Sequence, residues 1–430
     1  MPQLSTRSGA SRAPRPLCHN REVNGNRRVV ITGMGAVTSI GGTLPDFWDH
    51  LLEGVCGIRP FSLFDPAAYR TQTAGEVTEI PDGFLTPAER RRMSRADRMG
   101  VAAAREALAA SGLDLSRENP ARVGVILGGG TSGLIDSEAF FELYLRGRKG
   151  RPSKILNHLP DSITDRVAQR FGLEGIKSTI TTACSSSANA MGYAFDAIRA
   201  GLADVVVTGG SDVLARLTYG GFNSLRSVDP QPCRPFDRER RGLSIGEAAG
   251  ILVFEDAEHA RRRGAPVVAE FRGYGVTSDA YHMTAPDPSG AAGGRTIRAA
   301  LENAGVNAED VDYVSAHGTA TLQNDSAETA ALKAGLGGRA LEIPISSIKS
   351  MIGHCLCASG AIEAVATALT VLHGKVPPTI HYENPDPACD LDYVPNEARD
   401  LPVDVALSNS FAFGGNSSVV VLARYDGSAP

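Results

Sequence analysis

A cysteine closing a strand-like run and two histidines far downstream are the residues whose types and placement can do chemistry. Cys184 ends the β-branched run at 178–182 and opens a run of small residues, within the stretch STITTACSSSANAMG. Thr and Ile favour a buried strand there, and residues 191–200 carry apolar side chains at helical spacing. Cys184 thus falls between a strand end and a helix start, where unpaired N–H groups and the positive end of a helix dipole favour a thiolate. The competing reading is a buried thiol that acts as a small hydrophobe. His317 follows VDYVSA and opens HGTATLQND, while His354 follows ISSIKSMIG and precedes CLCASG. Open α/β sheets bind ligands at the carboxyl ends of their strands. The three residues together therefore fit a thiolate that accepts an acyl group and two imidazoles that stabilise charge on a second carbonyl. Lys349 precedes His354 and Glu363 follows it; they read either as a structural ion pair or as groups that orient the histidines.

The elements that must position these residues read as alternating strands and helices. Strands are expected at 28–31, 123–127, 204–210 and 250–254, then at 267–271, 311–316, 343–347, 405–408 and 418–422. Near-continuous apolar runs at 204–210 and 250–254 mark strands covered on both faces. Helices are expected at 47–53, 86–111, 257–264, 296–304, 326–334 and 361–373. The pattern restarts after 257–264, so we expect an α/β protein of two fused halves, 28–260 carrying the cysteine and 261–430 carrying both histidines. Residues 1–27, rich in Arg, Ser, Pro and Asn, are expected to form a loose extension without a signal-peptide core. Gly33-Met-Gly35 reads as a tight turn after the first strand; a lone G-x-G without an acidic residue at the right distance argues against a nicotinamide enzyme.

A net charge of −5 and a pI near 6.0 give no support for nucleic-acid binding as the main activity. No window reaches the roughly 18 uninterrupted apolar residues of a membrane span. Seven cysteines without a regular framework read as reduced thiols in a cytoplasmic setting. His354, Cys355 and Cys357 lie close in sequence, but no CxxC or second ligand pair completes a zinc site, so no metal is expected. Two basic clusters, Arg90, Arg91, Arg92, Arg95 and Arg98, and RGRKGRPSK at 146–154, read by default as solvated surface.

Taken in order, TTACSSS around Cys184, HGTAT at His317, KSMIGH spanning Lys349 and His354, and NSFAFGG at 409–415 resemble the motifs of the β-ketoacyl carrier-protein synthases of the thiolase-like fold. VVITGMG at 29–35, RPFD at 234–237 and GEAAG at 246–250 extend the resemblance over residues 28 to 424. AYHMTAPDPSG, QNDSAETAALK and CDLDYVPNEAR are most similar to ketosynthase subunits of type II polyketide synthases, with fatty-acid elongation as the alternative pathway.

The resemblance implies two similar halves, each a mixed sheet with helices, stacked in five layers α-β-α-β-α. It implies that Cys184 takes an acyl chain from the phosphopantetheine of an acyl carrier protein, and that no further cofactor is needed. His317 and His354 would then assist decarboxylation of a malonyl carrier protein and stabilise the enolate that extends the chain by two carbons. By the same resemblance the N–H groups of Cys184 and Phe413 form an oxyanion hole, and Thr319 and Thr321 contact pantetheine. Phe411 and Phe413 bound the acyl pocket, with Phe413 as its gate. Lys349 and Glu363 are a supporting charged pair, and Asp325 supports them from further out. The family also implies a dimer, with itself or with a chain-length-factor-like partner, and an acidic carrier protein for which the two basic clusters are candidate docking surfaces. A non-catalytic chain-length-factor subunit would lack Cys184, and a thiolase would carry a second catalytic cysteine in place of one histidine. The chain departs from the pattern at Cys357, where Gly is usual, at Ala320, where Ser is common, and in the loop FAFGGNSS.

Overall fold

The computed structural model describes residues 27–427. Of the expected extension at 1–27, residues 1–26 lie outside the described residues; Arg27 is tied to the fold, its Nη1 3.0 Å from Asp204 Oδ1.

Ten strands form the core: β1 (Val29–Val37), β2 (Val123–Gly128), β3 (Lys177–Ile180), β4 (Val205–Asp212), β5 (Ala248–Asp256), β6 (Ala269–Ser278), β7 (Tyr313–Ser315), β8 (Ile345–Ser346), β9 (Val405–Ala412) and β10 (Asn416–Ala423). They pair in the order β8-β7-β9-β10-β6-β1-β5-β4-β2-β3. Each half therefore repeats one arrangement, in which the fifth strand lies between the first and the fourth and is antiparallel to both, while the second, third and fourth run parallel. The two sheets expected from the sequence are joined into one, because Val29–Ile31 of β1 also pairs with Ala269–Phe271 of β6. β3, expected to be buried, is a half-covered edge strand.

The helices are α1 (Leu44–Leu52), α2 (Pro87–Arg92), α3 (Arg95–Ser111), α4 (Leu134–Leu145), α5 (Ser162–Phe171), α6 (Ser186–Arg199), α7 (Arg216–Ser224), α8 (Ala257–Arg263), α9 (Ala291–Ala304), α10 (Leu322–Leu336), α11 (Lys349–Ile352) and α12 (Ser359–His373). α6 and α12 pack against strands of both halves and against each other; α3 and α5 cover the outer face of the first half, and α9 and α10 that of the second. The result is the five-layer stack of a thiolase-like fold. α6 and α12 occupy equivalent places, each following the third strand of its half, and their starts touch, the Ala361 N–H donating to Ser187 Oγ at 2.9 Å.

Three local expectations are corrected. β1 runs through Gly33 and Gly35 to Val37 with a bulge after Ile31 instead of turning. A Cβ at Gly33 would lie 2.1 Å from the Ala107 carbonyl and one at Gly35 2.1 Å from that of Ala103, so the glycines let α3 lie directly on the strand. The stretch expected as one helix from 86 to 111 is two, because Thr86 and Ser94 each begin a helix with a capping box. The first basic cluster is not uniformly solvated: Arg95 Nε lies 3.0 Å from both oxygens of the buried Glu247, and Arg98 pairs with Asp82. α5 and α7 were not expected; α5 does carry an amphipathic pattern, burying Ile163, Val167 and Ala168 on one face. Residues 356–373, within which α12 falls, are the one stretch among the described residues long and apolar enough to cross a membrane; 89% of it is buried and it serves as a central core helix.

Candidate active site

Strand β3 ends at Ile180 and α6 begins at Ser186, and the chain between them turns sharply enough to hold Ala183 at φ +52°, a left-handed value rare outside glycine. Hydroxyls and amides hold the turn: Ser186 Oγ accepts from the Thr182 N–H at 2.8 Å and donates to the Ala183 carbonyl at 2.6 Å, while Asn189 Nδ2 donates to Thr182 Oγ1 at 2.9 Å. Cys184 therefore projects from the start of α6 with 7% of its surface exposed.

His317 lies past the end of β7, and His354 past α11 in the segment leading to α12. Both are 2% exposed, and their rings meet edge to face with centroids 5.3 Å apart. The sulfur of Cys184 and one nitrogen of each ring lie within 4.8 Å of one another. Three groups separated by 133 and 37 positions in sequence thus face one buried space, His354 reaching it from the turn after α11 and not from a strand end.

Hydrogen bonds fix the state of each ring. The Leu356 N–H reaches His354 Nδ1 at 3.0 Å and Ser359 Oγ lies 2.9 Å from the same atom, so Nδ1 is the acceptor and Nε2 carries the proton. Lys349 Nζ donates to the His317 carbonyl at 2.6 Å and stands 3.3 Å from His317 Nδ1, which places the proton of that ring on Nε2 as well. Burial and the Lys349 charge hold both imidazoles well below their ordinary pKa, so they are neutral donors. The Lys349 ammonium is ion-paired with Glu363; both are buried, and burial lifts the Glu363 carboxyl to about 7 against the pull of the lysine.

Burial also raises the Cys184 thiol to about 11, although Lys349 and the N–H groups of Phe413 and Cys184 draw it down. The thiolate expected at a helix start is not the resting state, because removing the sulfur from water outweighs those three contributions.

Thr319, Thr321, Phe411 and Phe413 line a cavity of about 210 Å³ with Cys184, His317 and His354. The two threonine hydroxyls are 2.9 Å apart, the Phe411 ring centroid is 6.3 Å from that of His317, and Phe413 packs on Phe222 at 5.7 Å. Asp325 does not reach the cavity. Its carboxylate accepts the N–H groups of Phe236 at 2.7 Å and Ala320 at 3.1 Å, pinning the loop that carries Thr319 and Thr321, and burial lifts it to about 6.

One acid escaped the sequence reading. Glu328 is 1% exposed and accepts the N–H groups of His317 at 2.8 Å and Gly318 at 2.7 Å, as well as Asn409 Nδ2 at 3.1 Å. Its signal was an acid one turn after Asp325 on the apolar face of α10, beside Ala327, Ala331 and Leu332.

The sequence matches the family models for the N-terminal domain of beta-ketoacyl synthases over residues 26–260 and for their C-terminal domain over 268–383. It is 44% identical to the tetracenomycin polyketide synthase ketoacyl synthase alpha subunit of Streptomyces glaucescens, covering 93% of this chain and 97% of the relative. It is 42% identical to 3-oxoacyl-[acyl-carrier-protein] synthase 2 of a Synechocystis strain, covering 93% and 98%. Among solved structures, the ishigamide ketosynthase/chain length factor superposes with a TM-score of 0.88 at 36% identity, covering 93% of this chain and 99% of that one. A type II polyketide synthase acyl-carrier protein in complex with its ketosynthase, bound to the hexaketide, gives 0.86 at 34%, covering 93% and 100%. With both domain models matched in order around one cysteine and two histidines, the chain belongs to the β-ketoacyl synthase family.

Proposed function

We propose that the protein is a β-ketoacyl-[acyl-carrier-protein] synthase that extends an acyl chain by decarboxylative Claisen condensation in a type II polyketide pathway. The observation that carries this reading is the meeting of the Cys184 sulfur with one nitrogen of each of two imidazoles in one buried cavity.

In the first half-reaction the Cys184 sulfur attacks the carrier-bound thioester. A C–S bond to Cys184 forms, the bond to the pantetheine sulfur breaks, and the carrier leaves as a thiol that takes up the cysteine proton. Neither imidazole accepts that proton at Nε2 while its Nδ1 hydrogen bonds persist, so the sulfur ionises with help from α6, Lys349 and the N–H groups of Phe413 and Cys184. Those two N–H groups then meet the oxyanion. In the second half-reaction malonyl thioester loses CO2, and the Nε2–H groups of His317 and His354 take the enolate oxygen. The enolate carbon attacks the acyl-Cys184 carbonyl and releases the cysteine sulfur. Thr319 and Thr321 bind the pantetheine arm, and Phe411 and Phe413 bound the acyl space. Lys349, Glu363, Asp325 and Glu328 are positioning residues.

We assign no metal to the Cys184, His317 and His354 cluster, because the Lys349 ammonium 3.3 Å from His317 Nδ1 opposes a second cation there. The only further group required is the phosphopantetheine that substrates bring. The partners are an acyl carrier protein and a second subunit, either a copy of this chain or a chain-length-factor homologue, acting in the cytoplasm. The presence of Cys184 favours the catalytic over the non-catalytic subunit.

The test is incubation with an acyl carrier protein series plus malonyl carrier protein, with products read by mass spectrometry. A β-ketoacyl product two carbons longer is expected from the wild type. His354→Ala is expected to keep acyl-enzyme formation while condensation falls by on the order of 10²- to 10³-fold, the cost of one lost oxyanion donor. Undiminished condensation by that variant rejects the role of His354.

A further inference from the structure

The ring of His354 is held by two hydrogen bonds that come from different parts of the fold. Its backbone is fixed by the 244–246 segment, the His354 N–H donating to the Ser244 carbonyl at 2.7 Å and the His354 carbonyl accepting from the Gly246 N–H at 2.9 Å, so what remains to be set is the rotation of the ring. The Leu356 N–H, 3.0 Å from Nδ1, belongs to the same short turn as the histidine, and that turn holds Leu356 at φ +52°, a value such a side chain adopts only where its surroundings enforce it. Ser359, 1% exposed and 2.9 Å from the same nitrogen, is the first residue of α12, whose Ala361 N–H is tied to Ser187 of α6. Through Ser359 the ring is registered against α6, the helix that begins beside Cys184. One turn further along the same face of α12, Glu363 pairs with Lys349, and Lys349 reaches His317. Two positions four residues apart on one helix thus address both imidazoles, His354 directly and His317 through a lysine.

We propose that Ser359 is a positioning residue for the condensation step: its hydroxyl donates to His354 Nδ1 and fixes the angle of the ring so that the Nε2–H meets the enolate oxygen. This rests on the reading of His354 as an enolate donor. The Leu356 N–H alone keeps the proton on Nε2, so the tautomer does not depend on Ser359; the ring's angle does. Nδ1 offers one lone pair in the ring plane, which the two donors share, and with Ser359 gone the ring turns toward Leu356. A donor that leaves its line of approach loses hydrogen-bond strength steeply, and the loss falls on the step in which the enolate forms. The start of α12 acts in the same sense, because the positive end of a helix dipole beside Nδ1 favours an acceptor there and opposes its protonation.

The test follows single-turnover condensation of preformed acyl-enzyme with malonyl carrier protein, read by intact mass, in wild type, Ser359→Ala, His354→Ala and the double variant. Ser359→Ala is expected to slow condensation about three- to tenfold, the scale of one neutral hydrogen bond, and to slow acylation of Cys184 by less than about twofold. In the His354→Ala background the same change is expected to alter condensation by less than about twofold, because the hydroxyl no longer has a ring to hold. Ser359→Cys, similar in shape with a weaker donor, should fall between wild type and Ser359→Ala. The proposal is overturned if Ser359→Ala condenses at the wild-type rate, or if it slows condensation by the same factor with and without His354, as a residue that only supports the fold would. Undiminished condensation by His354→Ala alone would instead refute the role of that histidine in the proposed reaction.

Discussion

Replacing Lys349 by Met tests how the buried charge pair supports the histidines. Lys349 and Glu363 are each about 1% exposed, Lys349 is the one cation paired with Glu363, and Glu363 Oε2 has no partner among the described residues. Removing one partner of a buried pair costs about 3–5 kcal/mol when the survivor stays charged. Here the survivor can escape: burial holds its carboxyl near 7 even beside the ammonium, and without Lys349 its pKa climbs further. A carboxyl whose folded pKa lies above its unfolded value destabilises the fold as pH rises through that interval, at about 1.4 kcal/mol per unit. The penalty in Lys349→Met should therefore be about 1–2 kcal/mol at pH 6 and grow to about 3–4 kcal/mol at pH 8.5, read from guanidinium denaturation. Glu363→Gln in the same chain should recover most of it and flatten its pH dependence. Condensation should stay depressed in the double variant, because the His317 carbonyl and Nδ1 still lack the ammonium, while acyl-enzyme still forms but more slowly, since Lys349 also draws down the Cys184 thiol. A penalty independent of pH, or full recovery of condensation in the double variant, would refute the reasoning.

Two further outcomes follow from the same geometry. Both Glu328 oxygens accept backbone N–H groups, so the amide of Glu328→Gln must turn an NH2 toward a donor; the lost hydrogen bonding should cost about 1–3 kcal/mol and lower kcat for condensation more than the rate of acylation, read by comparing product formation with intact mass. A thiol raised to about 11 is neutral at rest, so iodoacetamide alkylation of Cys184 should quicken about tenfold per pH unit from 7 to 10; a plateau below pH 8 would show that the sulfur is already ionised.

How much was legible in the sequence depended on whether a residue's neighbours were local. Cys184, His317 and His354 announced themselves because each follows a strand-like run and starts a stretch of small residues; the α/β class and the two halves followed from the alternation of strands and helices, and the thiolase-like layering from the resemblance of the motifs. The thiol's protonation state was not legible, because it depends on burial by elements from the other half. Gly33 and Gly35 were misread as a turn because their reason, the approach of α3 to β1, lies some 70 residues away in sequence. Arg95 looked like surface until β5 brought Glu247 to it, and Glu328 looked like an ordinary helix acid until it met the amides of His317 and Gly318.

The measurement that bears most directly on the account is intact-mass analysis of wild type and Cys184→Ala after incubation with acyl carrier protein. Wild type should gain the mass of one acyl group and lose it when malonyl carrier protein is added, releasing the extended β-ketoacyl product, while Cys184→Ala gains nothing. Stoichiometric acylation of Cys184→Ala would contradict the assignment of the nucleophile and with it the two-step chemistry built on the cavity.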